Sequence, residues 1–386
     1  MQRSTDRILT THTGSLPRPL DLLQMIRAKA SGVPVDEAAL ANRIRSGVAE
    51  IVEKQTSIGI DVVNDGEFSK ASFVTYARER LGGLTPREGI RRAWQNSREV
   101  RAFPEFYAAT LGNVNQRQMQ MVCTGPITYK GKAQLDADLD NLKSALRGKK
   151  VAGAFIPCIS PSNIEDWNAN EFYKTDNEYV EAIGEAMLEE YKAIIDAGFM
   201  VQIDDPRLVS YYMVNPKLSI KEARKWAERR VELLNHTLRG LPRDKIRYHT
   251  CYGINMGPRL HDMELKDIVD IVMKINAGVF SFEAANPRHE HEWKVWKTTK
   301  LPDGAMLMPG VVTHASVLVE HPELVAERIV RFAGVVGREN VIAATDCGFA
   351  TFAGSDEIHP SIVWAKLEAL TEGARLASKE LWGKKS

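Results

Sequence analysis

Short apolar runs alternate with longer amphipathic stretches along most of the chain. The apolar runs predict β-strands at residues 8–13, 61–65, 120–124, 151–156, 200–203, 247–253, 279–283, 305–312 and 341–347. Apolar residues at helical spacing predict α-helices at residues 20–29, 36–60, 177–197, 219–238, 264–274, 322–336 and 361–379. Alternation of this kind indicates a parallel sheet whose strands are joined by crossover helices.

The helix predicted at 177–197 has the clearest pattern. Its apolar face is formed by Tyr179, Val180, Ile183, Met187, Tyr191 and Ile194. Gly198 follows the last of these residues and is expected to end the helix. Ser219 is expected to cap the N-terminus of the next helix, and Pro322 to lie in the first turn of a later one.

Polar residues recur at or just after the ends of the predicted strands. They are Ser15, Glu67, Asp204, His249, Cys251, Glu283, His314 and Cys347. A (β/α)8 barrel builds its active site at these strand ends, whereas an open doubly wound sheet places ligands at one switch point. Because the polar residues come from several strands, the pattern favours a closed α/β barrel, although the nine predicted strands are one more than it needs.

Composition narrows the function classes. The chain has 386 residues, of which 44% are hydrophobic and 26% charged, and its net charge is +1. The near equality of positive and negative charges gives no sign of a basic surface that would bind a nucleic acid. No apolar run is long enough to span a membrane. The N-terminus lacks the apolar core of a signal peptide, so we expect a cytoplasmic protein. We also expect one domain over residues 1–386, with an insertion near 70–119, and leave open whether it forms a homo-oligomer.

The four cysteines, at positions 123, 158, 251 and 347, are spaced too widely for a disulfide scaffold. In a strand, alternate residues point to the same face, so His249 and Cys251 can aim together at one point. Alone, this pair reads more readily as a buried cysteine beside a hydrogen-bonded histidine. With Glu283 and Cys347 at two later strand ends, it makes a set of N, S and O ligands suited to zinc.

The other polar residues each have a structural alternative. Glu67 and Asp204 could be helix caps or salt-bridge partners, and His314 could be a core histidine. The run His289-Glu290-His291-Glu292 resembles metal ligands, but we favour a structural role for it because the metal already has four candidate ligands.

Taken together, these motifs resemble the catalytic barrel of cobalamin-independent methionine synthase. His249-Thr-Cys251, Glu283 and Asp346-Cys347-Gly348 resemble its zinc ligands in the same order. The loop Gly14-Ser15-Leu-Pro17 resembles the one that holds the homocysteine carboxylate. Two acidic sites, at Glu67 and Asp204, resemble those that bind the amino group, and Thr313-His314 resembles the general acid.

The resemblance runs from about residue 8 to about residue 355. It implies a TIM barrel of the superfamily shared with uroporphyrinogen decarboxylase. It also implies that the stretch near Val151 lies in a second insertion, near 140–175, which would leave eight barrel strands. The zinc cofactor and the roles of Gly14, Ser15, Glu67, Asp204 and His314 follow from the same resemblance.

This chain also departs from the full-length family pattern. Tyr129-Lys130 follows Gly125-Pro126-Ile-Thr128, where the family usually has a folate-site tryptophan. The segment between Cys251 and Glu283 is longer than in full-length enzymes, and we expect a single barrel without the additional N-terminal one of those enzymes. These features resemble the short single-barrel branch that includes the epoxyalkane:coenzyme M transferases.

The leading interpretation is a zinc-dependent methyltransferase that moves a methyl group from a methylfolate-type donor to homocysteine. Zinc would keep the substrate sulfur as a thiolate, Glu283 would be the exchangeable ligand, and His314 would supply a proton to the leaving group. One alternative is addition of a zinc-bound thiol to another alkyl donor, as in the coenzyme M branch. Another is a non-catalytic protein with a structural zinc.

Electrostatics favours homocysteine as the acceptor. Glu67 and Asp204 offer negative charge to its ammonium group, and the loop at Gly14-Ser15 offers hydrogen-bond donors to its carboxylate. A sulfonate thiol has no ammonium group, so it would leave both acids unpaired.

Overall fold

The computed structural model describes residues 1–87, 96–111, 120–253, 257–353 and 358–383. The strands in this part of the chain are β1 Leu9–Thr10, β2 Val62–Val63, β3 Leu84–Arg87, β4 Gln120–Cys123, β5 Gly153–Ile159, β6 Asn168–Asn170, β7 Met200–Asp204, β8 Ile246–His249, β9 Val279–Phe282, β10 Met306–Val312 and β11 Ile342–Thr345.

The α-helices are α1 Leu20–Ala30, α2 Glu37–Ser57, α3 Tyr76–Arg80, α4 Arg98–Ala102, α5 Pro104–Leu111, α6 Lys132–Ala145, α7 Pro161–Trp167, α8 Asp176–Asp196, α9 Pro206–Val214, α10 Ile220–Thr237, α11 Val269–Val272, α12 Pro322–Val336 and α13 Pro360–Trp382. Short 3-10 helices lie at Arg243–Lys245, Leu265–Asp267, Glu290–Lys297 and Arg338–Asn340. Among the described residues, no helix is both long enough and apolar enough to cross a membrane.

Eight strands form a parallel sheet in the order β1-β11-β10-β9-β8-β7-β5-β2. Two hydrogen bonds join its outer strands: the Asp61 N–H donates to the Thr10 carbonyl at 3.1 Å, and the Thr11 hydroxyl donates to the Val62 carbonyl at 2.8 Å. The sheet is therefore a nearly closed (β/α)8 barrel, which confirms the TIM-barrel prediction.

The predicted strand near 151–156 is part of the barrel. β5 pairs with β2 on one side and β7 on the other, and its residues from Ala154 to Ile159 are buried, as expected for a strand covered on both faces. The expectation that this stretch lies in an insertion near 140–175 was therefore wrong. Of the nine predicted strands, the one that lies outside the barrel is β4, which pairs with β3 and β6 in a small separate sheet.

The insertion expected near 70–119 carries α3, β3, α4 and α5, none of which is a barrel element. Residues 88–95 and 112–119 of that stretch lie outside the described residues. The helix predicted at 264–274 is divided into a 3-10 turn and α11, because Ile268, with φ of −137°, departs from helical geometry.

Local signals place the helix ends where the sequence predicts them. Ser219 and Glu222 form a capping box at α10, and Thr175 and Glu178 form another at α8. Pro322 occupies the first turn of α12. Gly198 follows α8 with φ of +96°, a conformation that glycine adopts without strain. Because these caps fix where each helix begins or ends, they also fix the ends of the strands on either side of it.

Two kinds of core support the barrel. The larger cluster lies between strands and helices, while Leu9, Val279, Met306, Met308, Ile342 and Ala344 form a separate cluster from alternate strand residues inside the barrel. Along β8 and β9 the same alternation leads from Arg247 to His249 and from Val279 to Ser281. The inward face thus becomes polar toward the C-terminal ends of the strands.

Candidate metal centre and active site

Three of the four predicted metal ligands meet at the C-terminal end of the barrel. One ligand atom from each of His249, Cys251 and Cys347 lies within 4.8 Å of the others, and all three residues are buried. The Cys347 and Cys251 sulfurs are 3.5 Å apart. The backbone explains this meeting: His249 is the last residue of β8, and each cysteine lies two residues beyond the end of its strand.

The hydrogen bonds of these residues fit a metal site. His249 Nδ1 lies 3.0 Å from the Ser281 hydroxyl, while its buried Nε2 has no hydrogen-bond partner among the described residues. A metal-binding histidine is commonly held in this way through its other ring nitrogen. The Cys347 thiol hydrogen bond lowers the pKa of Cys251 to about 6, which favours the thiolate that binds metals. One nitrogen and two sulfurs with soft character suit zinc.

Glu283 is not brought into this group. Its Oε1 accepts a hydrogen bond from the Tyr252 N–H at 2.8 Å. Its Oε2 pairs with Arg259 at 2.9 Å and accepts from the Asn286 amide at 2.7 Å. The positive charge of Arg259 counters the effect of burial and lowers the pKa of Glu283, so the carboxylate is ionised. Sequence reasoning missed Arg259, which lies on an irregular loop with no motif to single it out.

Asp346 shapes the loop after β9. Its Oδ1 accepts the backbone N–H groups of Ala284 and Ala285, at 2.7 and 2.9 Å. Its other oxygen lies 3.3 Å from the Asn286 amide. Because Asp346 directly precedes Cys347, these bonds tie the Glu283 loop to one of the two cysteines of the candidate metal site.

The predicted acidic residues lie at the same end of the barrel. Glu67 is buried, has φ of +60°, and its Oε2 has no hydrogen-bond partner among the described residues. A Cβ built on Gly14 would lie 2.6 Å from Glu67 Oε1, so only glycine fits beside this carboxylate. The loop at Gly14 and the acid at Glu67 are therefore neighbours, as the sequence predicts.

Two cations near Glu67 change its electrostatics. Burial raises the pKa of Glu67, whereas the charges of Lys70 and Arg18 oppose that rise. Arg18 donates to the backbone carbonyls of Glu67 and Lys70, each at 2.8 Å, and Lys70 donates to the Pro157 carbonyl. Lys70 was not singled out from the sequence, because a lysine after a turn reads as a solvated surface residue.

Asp204 ends β7, and its Oδ1 accepts from the Gln202 amide at 2.8 Å. Burial raises the pKa of Asp204 to about 7. Its neighbour Asp205 faces a different set of groups and accepts from Ser162 at 2.7 Å and Asn163 at 2.8 Å. Of the two adjacent acids, Asp205 is thus bound by Ser162 and Asn163, whereas Asp204 is bound by the Gln202 amide.

Ser15 packs against the loop after β11. Its hydroxyl lies 3.2 Å from that of Thr351 and accepts from the Ala350 N–H at 3.3 Å. The Ser15 carbonyl also accepts from the Phe349 N–H at 3.0 Å. These bonds connect the first loop of the barrel to the loop that carries Cys347.

His314 lies two residues beyond β10 and is buried. Its Nε2 is 3.3 Å from the Gly253 carbonyl, whereas Nδ1 has no hydrogen-bond partner within the described part of the chain. Burial lowers the pKa of His314 to about 4, so its ring is neutral near pH 7. Because the Gly253 carbonyl can only accept, the single N–H of the neutral ring is on Nε2, and Nδ1 is free to accept a proton.

Comparison with known proteins agrees with this architecture. A methionine synthase from Sulfolobus acidocaldarius is 24% identical over 373 residues, covering 96% of this chain and 93% of that protein. One from Saccharolobus islandicus is 26% identical over 375 residues, covering 96% and 95%. The structure of a B12-independent methionine synthase from Shewanella sp. W3-18-1, in complex with selenomethionine, superposes with a TM-score of 0.72 at 20% identity and covers 98% of this chain and 100% of that one.

The solved structure establishes likeness of fold, and the curated relatives match over almost their full length. The model of the family described as the catalytic domain of cobalamin-independent synthase matches residues 8–363. This chain belongs to the cobalamin-independent methionine synthase family.

Proposed function

We propose that the protein is a zinc-dependent methyltransferase that methylates the sulfur of homocysteine. The observation that carries this proposal is the buried group of His249, Cys251 and Cys347, with the unpartnered Nε2 of His249 among the two thiols. Family membership and the methionine synthases among its relatives support methyl transfer to homocysteine.

His249, Cys251 and Cys347 would hold the zinc ion, which when bound stabilises a substrate thiolate at neutral pH. Three protein ligands match a catalytic site, which keeps one position open, better than a closed structural site. Glu283, the fourth predicted ligand, is held by Arg259, Asn286 and the Tyr252 N–H, so the three other residues would hold the metal and leave a position for the substrate sulfur. Ser281 holds the His249 ring at Nδ1, which would leave Nε2 for the metal.

The remaining residues bind the amino acid and handle the proton. Glu67 and Asp204 attract the ammonium group of homocysteine, and the loop at Gly14-Ser15 receives its carboxylate. His314 would take up a proton at its free Nδ1 and pass it to the leaving atom of the methyl donor. Because these side chains are buried, the site excludes water, and water does not compete with the methyl donor for the substrate sulfur.

The donor in this proposal is a methylfolate-type molecule. Tyr129, which replaces the folate-site tryptophan of the family pattern, donates its hydroxyl to the buried Glu190 at 2.8 Å. We further propose a single catalytic barrel domain over residues 1–386 that acts in the cytoplasm on small molecules, with assembly into a homo-oligomer left to measurement.

One observation favours the alternative thiol. Lys70 and Arg18 partly offset the charge of Glu67, so the site is less strictly acidic than its sequence indicates. Alkyl transfer to a sulfonate thiol such as coenzyme M is therefore the second candidate function.

The test is a donor and acceptor screen with the zinc-loaded protein. We expect methionine from homocysteine and a methylfolate, with triglutamyl and monoglutamyl forms assayed separately. Formation of a thioether from coenzyme M and an epoxide, without methionine, would support the second candidate. Stoichiometric zinc with no turnover of any pair, and no added sulfur ligand by X-ray absorption, would identify a structural zinc site instead.

A further inference from the structure

His289 is a buried histidine that bridges two carboxylates outside the group of metal ligands. Its Nδ1 lies 2.9 Å from Glu292 Oε2, and its Nε2 lies 3.2 Å from Asp262 Oδ2. Ionised carboxylates only accept hydrogen bonds, so a histidine bonded at both nitrogens carries a proton on each. Burial opposes this charge, but the two carboxylates outweigh it and raise the pKa of His289 to about 9.

The His289 ring is also stacked on Tyr252. The ring centroids are 3.9 Å apart and the planes differ by 4°. A cation over an aromatic face is attracted to it, and the attraction grows when the pair is removed from water. Tyr252 directly follows Cys251, and its N–H donates to Glu283. The stacked pair therefore adjoins both a metal-binding cysteine and the predicted fourth ligand.

The two carboxylates come from different segments. Asp262 belongs to the loop at 257–265, and Glu292 belongs to the 3-10 helix Glu290–Lys297, where its Oε1 also accepts the Leu265 N–H at 2.7 Å. The same loop carries Arg259, which pairs with Glu283. His289 thus joins the loop, the 3-10 helix and the segment after Cys251 at one buried point.

We propose that His289 is a positioning residue for the candidate metal centre: it fixes Tyr252 and the loop at 257–265, and through them the placement of Cys251 and Glu283. This inference rests on the proposed function, since it concerns the same metal site. His289 acts through Tyr252, Asp262 and Glu292 and is not itself a ligand. Its neighbour His291, in the same run of alternating histidines and glutamates, is exposed and supplies a matched control.

The experiment compares His289→Gln with His291→Gln in zinc affinity, measured by competition with a chelator. Cobalt(II) substituted for zinc gives a second readout, because its absorption spectrum reports ligand geometry without any need for turnover. We expect His289→Gln to weaken zinc binding by about 10- to 100-fold, the usual effect of removing a partner of metal ligands. It should also shift the cobalt spectrum, whereas His291→Gln should match wild type in both.

His289→Gln leaves two buried carboxylates without a cation and could fail to fold for that reason. A third variant provides the test in that case. Tyr252→Leu keeps the His289 ion pairs and removes only the stacked ring, so it should fold and still weaken zinc binding. Wild-type affinity and spectrum in folded His289→Gln, or in Tyr252→Leu if the first variant does not fold, would overturn the positioning role. That result leaves the proposed function intact, which would instead fail if wild-type zinc binding did not depend on Cys251.

Discussion

The mouth of the barrel has two halves that differ in the charges that surround their polar atoms. In the metal half, formed by His249, Cys251 and Cys347, the His249 Nε2 has no hydrogen-bond partner among the described residues, and the two sulfurs are 3.5 Å apart. The acid half, formed by Glu67 and Asp204, is surrounded by compensating groups: Lys70 and Arg18 near Glu67, and Gln202 at Asp204.

This difference shows what each half requires from outside. The metal half gathers one nitrogen and two sulfurs, which are donor types that zinc takes. The metal half therefore fits a bound ion, whereas the acid half already has part of its counter-charge. An ammonium group that binds in the acid half meets carboxylates whose charge is already partly compensated. Its binding should therefore contribute less free energy than metal binding does.

The largest effect should come from removing a thiol of the metal half. Zinc binding by such sites is worth about 10–16 kcal/mol over about four ligands, so one ligand contributes roughly 3 kcal/mol or about 100-fold in affinity. Cys251→Ala and Cys347→Ala should each lose zinc on dialysis and lose turnover, as measured by metal analysis and methionine formation. Cys123→Ala, which removes a buried thiol from the small sheet, is the control and should keep zinc. Full zinc content and affinity in both active-site variants would refute the ligand assignment.

A comparable effect, on turnover alone, is expected at His314, which lies beside the Gly253 carbonyl. His314→Ala should lower kcat by about 100-fold, because general acid groups contribute about 10²–10⁴-fold, while zinc content and homocysteine binding stay at wild-type levels. Steady-state kinetics and metal analysis of the same preparation separate these quantities. His291→Ala controls for loss of an imidazole elsewhere, and a wild-type kcat in His314→Ala would exclude a catalytic role.

The acid half should show a moderate effect on affinity alone. Glu67→Gln combined with Asp204→Asn should weaken L-homocysteine binding by about 10- to 100-fold, since a hydrogen bond to a charged group contributes about 1.5–3 kcal/mol. Calorimetric titration of the zinc protein measures this change, and coenzyme M serves as the comparison ligand because it lacks an ammonium group. If coenzyme M binds wild type more tightly than homocysteine does, and the double variant leaves homocysteine affinity unchanged, the acceptor assignment is wrong.

The smallest effect on activity concerns His12, buried beneath the acid half. Its Nδ1 accepts from the Gly14 N–H at 3.2 Å, and its Nε2 lies 2.8 Å from the Gln55 amide oxygen, so the ring is held neutral. Burial lowers the pKa of His12 to about 4, below its unfolded value near 6.5. The unfolded chain therefore binds this proton first, and the stabilising contribution, complete above pH 6.5, is lost as the pH falls toward 4.

This loss amounts to about 3 kcal/mol at pH 4, from about 1.4 kcal/mol for each pKa unit. Urea unfolding between pH 7 and pH 4 measures it, and His12→Gln should show a smaller fall in unfolding free energy over that range. Equal slopes for variant and wild type would remove His12 as the cause, while activity at pH 7 tests that the variant site remains intact.

Much of the fold could be predicted because its signals are local. The helices at α8, α10 and α12 combine a regular apolar face with a cap within the same few residues. Barrel membership was harder to predict, because β4 and β5 are both short apolar runs. Only pairing with β2 and β7 places β5 in the barrel and leaves β4 outside it.

The sequence by itself determined which chemical groups stand at the strand ends, since strand alternation and the residues that end each strand are local properties. It thereby placed His249, Cys251 and Cys347 at one edge of the sheet. Only the tertiary structure decided their partners: Arg259 pairs with Glu283, Lys70 and Arg18 lie near Glu67, and His289 stacks on Tyr252. Except for Lys70, which follows Glu67 by three residues, these partners come from separate segments of the chain. Electrostatic pairing depends on distance and burial, which no local pattern encodes.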